Sequence, residues 1–162
     1  MYTFIVFLHV ISILAFMLAH GASVAAAFVL RRETNPQRIR ALIGLSGATY
    51  GVTYASLLGL LLFGVIAGFM GNWWGSGWIW VSLVLLVVIY LAMGGLGSRY
   101  YGMARLKAGL PARGLATNVP EIDDAAEAEM TELVRRVNPI TLTVIGYGGV
   151  AIITYLMIAK PF

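Results

Sequence analysis

The two histidines of the chain, His9 and His20, both stand in the otherwise apolar stretch FLHVISILAFMLAHG at residues 7–21. Imidazole carries protons and binds transition metals and haem iron, so these side chains are the first candidates for chemistry. They are eleven residues apart. At about 100° per residue that is close to three helical turns, so a helix sets both on one face, about 16 Å apart along its axis. Ser12, Ile13 and Phe16 fall on or near the same stripe, which is neither a polar channel nor a purely lipid-facing surface.

Two uses are open to each imidazole. It can satisfy itself structurally against a backbone carbonyl or a tyrosine hydroxyl, or it can be a ligand, since ionisable groups in membrane helices commonly mark functional sites. Zinc needs three or four donors at one depth. The histidines are too far apart to share an ion, no acidic residue lies in the apolar segments, and the chain has no cysteine. Haem iron needs only one or two axial ligands. By depth, Met157 and Tyr155 fall near His9, and Tyr50, Tyr54, Tyr147 and Met93 near His20. A b-type haem site would thus draw on His9, His20, Met157, Tyr54 and Tyr147, with His9 and His20 as the iron ligands. Ligation by two imidazoles then requires a homodimer whose two-fold axis sets each histidine opposite its own copy. Copper is a further option at His20 with Met17 or Met93, because thioethers suit Cu(I).

The elements that must position these groups follow from composition. With 60% hydrophobic and 11% charged residues in 162, the chain has the composition of an integral membrane protein. A hydrocarbon core about 30 Å thick needs roughly 20 apolar residues of helix. Four segments meet this, near residues 2–30, 41–69, 79–101 and 140–159, which predicts an all-α, single-domain bundle of four transmembrane helices over residues 1–162. Arg31, Arg32, Arg38 and Arg40 follow the first span, and Arg99, Arg105, Lys107, Arg113, Arg135 and Arg136 follow or end the third; Lys160 alone lies on the other side. The positive-inside rule then puts both charged loops in the cytoplasm and both termini outside. The net charge of +4 is accounted for by topology and calls for no nucleic-acid partner. Positive charge follows the first apolar run instead of preceding it, so that run reads as a retained anchor.

Between the second and third spans, GNWWGSGWIW gathers Trp73, Trp74, Trp78 and Trp80, which suits an aromatic belt at the headgroups or a stacking surface for a quinone or partner. The polar loop 106–139 is broken by Pro and Gly in its first half. In its second half Ile122, Ala126, Met130, Leu133, Val134 and Val137 recur at helical spacing after Pro120, with acids early and arginines late. This predicts a short amphipathic helix on the cytoplasmic surface before the last span. Its acidic start, Asp123, Asp124 and Glu127, suits a solvated helix N-terminus better than a cation site. Gly47, Gly51, Ala55 and Gly59, followed by Gly64 and Gly68, form a small-residue stripe for close helix packing in the second span. GGLG at 94–97 and GYGG at 146–149 add packing surfaces to the third and fourth.

Phosphate loops, buried carboxylate pairs and a serine with base and acid are missing, which argues against hydrolase, kinase and nucleotide-binding activities and leans away from an enzyme. The opening helix FLHVISILAFMLAHG, the basic loop and three further spans resemble the DUF2269 family of bacterial predicted integral membrane proteins. The first helix is also distantly similar to copper-resistance protein D and HemJ-like membrane proteins. The resemblance implies a bacterial inner-membrane protein, with haem at the first-helix histidine that maps onto His9. Three functions are therefore expected in turn: haem-linked electron transfer, a non-catalytic subunit of a larger membrane complex, and transport of copper or a small solute.

Overall fold

A computed structural model describes residues 1–112 and 123–162. Arg113, Pro120 and Ile122 of the expected loop and amphipathic segment lie outside the described residues. Within these, the chain runs through helices α1 (Tyr2–Leu30), α2 (Pro36–Met70), α3 (Gly77–Lys107), α4 (Asp124–Arg136) and α5 (Pro139–Ala159), with no strand. All but α4 are long and apolar enough to cross a membrane.

Two of these helices outrun their apolar stretches. Helix α2 begins at Pro36, five residues before the expected Ala41, because the Asn35 side chain accepts the Arg38 N–H at 3.1 Å and proline suits the first helical position. Helix α3 continues past Tyr101 through Arg99–Lys107. Hydropathy ends where charges begin, whereas the helical hydrogen-bond ladder does not.

Between the four long apolar helices the main pairings are α1 with the Tyr50–Met70 part of α2, and the Gly77–Met93 part of α3 with the end of α5. Each pair joins spans that run in opposite directions, as in an up-and-down bundle. Three interruptions shape them. Helix α2 breaks at Thr49, and α3 and α5 each contain a wide π turn, at Gly94–Ser98 and Val144–Gly148. The glycines in both turns lower the cost of departing from the regular ladder.

The tightest core lies at the end of the bundle that carries the arginines, here called the basic end. Leu30, Ile39, Ile43, Ala104, Ala108, Met130 and Val134 form one buried cluster drawn from α1, α2, α3 and α4. Helix α4 starts on Asp123, whose carboxylate accepts the Ala126 N–H at 2.7 Å, and has acids in its first turn and arginines in its last. Ala126, Met130 and Val134, four residues apart, are buried, and Lys107 of α3 pairs with Glu129. The amphipathic helix thus turns its apolar face into the protein and its charged face outward. Asn138 then caps α5 by accepting the Ile140 and Thr141 N–H groups, and also accepts from Arg31 at 3.2 Å.

At the opposite, tryptophan-bearing end, the indoles contact one another and the C-terminal residues. Trp73 and Trp78 lie 5.9 Å apart between ring centres, and Trp74 and Trp80 5.5 Å. Lys160 stands 3.7 Å over the Trp73 ring, and the backbone N–H of Trp78 donates to the Phe162 carbonyl. Trp78 is buried, whereas Trp80 is exposed. Only part of this aromatic group is therefore available to an interface.

Candidate functional site

The two imidazoles share a helix but not a neighbour. His9 meets α2, its Nδ1 lying 2.8 Å from the Leu60 carbonyl oxygen. A carbonyl only accepts, so Nδ1 carries the proton and Nε2 keeps its lone pair. The ring reaches that carbonyl because Gly64 has no side chain: a Cβ there would stand 2.9 Å from His9 Cε1. His9 is thus held by a backbone hydrogen bond, in the tautomer that a metal-ligating histidine adopts when its second nitrogen is oriented by a carbonyl.

His20 points into α5 at the π turn. Its ring stacks on Phe16, with centres 5.5 Å apart and planes 7° from parallel, and tilts against Tyr147 at 5.6 Å. Nε2 is shut off from solvent and has no hydrogen-bond partner among the described residues. It rests against Gly146, where a Cβ would lie 3.0 Å away; the same point is 3.9 Å from Met93 Cε. Met93 immediately precedes the π turn of α3. One imidazole nitrogen, one thioether side chain, one tyrosine and two π turns therefore converge. Sequence depth set Tyr147 and Met93 near His20 and paired His20 with Met93 as a copper option, but gave no sign that backbone irregularities would meet there.

The remaining candidates are dispersed. Tyr54 is 42% exposed and lies edge-on to Tyr50 with ring centres 6.5 Å apart, and Tyr155 is 66% exposed. Met157 is half-buried on α5. No group of three or more His, Cys, Asp or Glu side chains suited to a metal ion occurs among the described residues. The resemblance implies haem, and the two histidines differ in how they suit it. At His20 a planar macrocycle on Nε2 would displace the α5 backbone at Gly146, so this seat does not fit a haem. At His9 the Nδ1–H to Leu60 bond leaves Nε2 as the acceptor that iron requires, so its chemistry fits an axial ligand.

Four glycines of the α2 stripe are sockets, each filled differently. A Cβ at Gly47 would overlap the Arg105 guanidinium; at Gly59 it would lie 2.8 Å from Ser12 Oγ, at Gly64 against His9, and at Gly68 3.2 Å from the Trp74 ring. Nothing lies within 4 Å of a Cβ at Gly51, and both Gly51 and Ala55 are exposed. Between the His20 level and the basic end, Ser23 and Thr49 share a hydrogen bond of 2.9 Å and Ser46 donates to Ser23 at 3.3 Å. This hydroxyl cluster ties α1 to the break in α2.

No protein-family model matches the chain, and neither curated proteins nor solved structures give a match. Functional argument therefore rests on these side chains alone.

Proposed function

We propose that the chain is a multi-pass protein of the bacterial cytoplasmic membrane, with both termini outside, that serves as a non-catalytic helical subunit of a larger membrane complex. The observation that carries this reading is the seating of both imidazoles against glycines of neighbouring helices, His9 at Gly64 and His20 at Gly146. Side chains wedged in this way fix how helices cross, which matters in lipid, where apolar exclusion contributes little to helix association. The four long apolar helices support the membrane assignment. The arginines gathered at one end support the orientation.

A second reading, a b-type haem protein for electron transfer, is favoured by one observation: the Nδ1–H of His9 is committed to Leu60 and leaves Nε2 as an acceptor. Haem would supply one-electron chemistry there, and His9 would hold the iron while the Leu60 carbonyl orients the ring.

An absorption spectrum of the detergent-purified protein, oxidised and then dithionite-reduced, separates the two. The subunit reading expects a featureless visible spectrum from folded protein produced with ample haem, and lower thermal midpoints for His9→Ala and His20→Ala. A Soret band that His9→Ala abolishes while the fold survives would replace it with the redox reading. Native electrophoresis of gently solubilised membranes then tests the complex directly: the subunit reading expects an assembly heavier than a homodimer of this chain.

A further inference from the structure

We propose that Arg105, at the basic end of the bundle, is a receptor for a phosphate-class anion. By sequence it counts as one more loop arginine. In the fold it is 9% exposed, buried among α2, α3 and the segment after α3. Its Nε–H donates to the Pro111 carbonyl at 3.0 Å and one terminal nitrogen, Nη1, donates to the Ile43 carbonyl at 2.7 Å. The guanidinium centre stands 5.6 Å over the Tyr50 ring. These contacts satisfy part of the donor fork and orient it, but carbonyls and a ring are neutral acceptors. The ion pairs among the described residues join Glu33 to Arg38, Lys107 to Glu129 and Glu132 to Arg136, and none reaches Arg105. A charge taken this far from water is costly unless an opposite charge meets it.

Two further features fit an anion. The guanidinium lies in the Gly47 socket, and one turn along α2 the space at Gly51 is open, with nothing within 4 Å of where a side chain would start. Neither of the two carbonyl bonds uses the second terminal nitrogen, Nη2, which is the donor left for an anion. Depth is the other. Arg105 is about 42 Å along α3 from Gly77 at 1.5 Å per residue. A bilayer with its headgroups measures about 40–45 Å. With Gly77 at one headgroup layer, Arg105 falls in the other. Arginine's planar fork suits a phosphate oxygen pair better than lysine's point charge. The anion would come either from a phospholipid headgroup or from soluble phosphate.

The test uses the full chain in neutral detergent. Native mass spectrometry measures binding of phosphatidylglycerol against diacylglycerol, which lacks the phosphate, and thermal unfolding is followed with inorganic phosphate. A lipid source is expected to appear as about fivefold tighter binding of phosphatidylglycerol, the effect of roughly one basic contact. Arg105→Gln is expected to erase that preference and Arg136→Gln to keep it. A phosphate-dependent rise in the thermal midpoint, lost in Arg105→Gln, would assign the same site to a soluble anion. If Arg105→Gln fails to fold, Gly47→Ala keeps the charge but displaces the guanidinium, and is expected to lose the preference as well. Equal binding of both lipids with no response to phosphate would overturn the proposal. So would a preference that Arg105→Gln and Gly47→Ala both retain.

Discussion

The basic end and the middle of the bundle are held together by different physics. At the basic end Leu30, Ile39, Ile43, Met130 and Val134 are almost fully buried, and α4 closes over them with a charged outer face. That is the construction of a soluble domain, where removing apolar surface from water is the main driving force. Along the middle, Leu14, Leu18, Leu58, Leu62, Val84, Val88 and Leu91 stay exposed on the outer surfaces of the helices. Contact there runs through small sockets: Ser12 at Gly59, His9 at Gly64, His20 at Gly146 and Ile89 at Gly149. The difference teaches that the apolar outer surface along the middle is compatible with lipid contact while the basic end is built as for water, and that polar side chains serve as spacers and hydrogen-bond donors between the helices of the middle.

Five substitutions break or sharpen this comparison. The largest effect is expected at the basic end: Met130→Ala removes a fully buried side chain from the α4 contact and should cost about 2–5 kcal/mol. It should also expose α4 to limited proteolysis while leaving the four long apolar helices protected. In the middle, Gly146→Val forces a side chain into the His20 ring and should cost about 1–3 kcal/mol by thermal unfolding. Its control is Gly51→Ala, at an exposed helical position outside both π turns with nothing within 4 Å, which should change stability by no more than about 1 kcal/mol and in the favourable direction. Equal effects at the two glycines would abolish the socket account.

Smaller effects are expected for single hydrogen bonds. His9→Phe keeps much of the ring but loses the bond to Leu60, and should cost about 0.5–1.5 kcal/mol in the same measurement. The smallest belongs to Glu33 in the α1–α2 link, whose carboxyl titrates below its ordinary value because the Asn35 and then the Thr34 N–H donate to it, with Arg38 adding a weaker attraction. A depressed carboxyl contributes stability above its unfolded value of about 4.3 and loses it as pH falls through the folded value. The thermal midpoint of the wild type should therefore drop slightly further than that of Glu33→Gln on acidification through this window.

Much of this architecture could be read from residues in order. The helical spacing of Ala126, Met130 and Val134 with acids before and arginines after marked α4, and Asn138-Pro139 marked the entry to α5, whereas hydropathy alone set the start of α2 at residue 41 and passed over the Asn35-Pro36 cap. Where α4 docks was not legible, because an apolar face suits a membrane surface and a protein core equally well. Arg105 was misplaced for a similar reason, since an arginine near the end of an apolar run looks like every other loop arginine until the opposing Gly47 is known.

What the sequence by itself determined was the number of long apolar helices, the gathering of charge at one end and the polarity of α4, since each depends on local hydropathy, spacing and end chemistry. Which side chain fills which glycine socket, that His20 keeps an unpartnered nitrogen beside a π turn, and that Arg105 is buried without a carboxylate among the described residues were decided only by the tertiary structure. The physical reason is that helices apolar on all sides carry no periodic signal for the direction they face. Register and crossing then follow from steric fit between helices, which no single segment encodes.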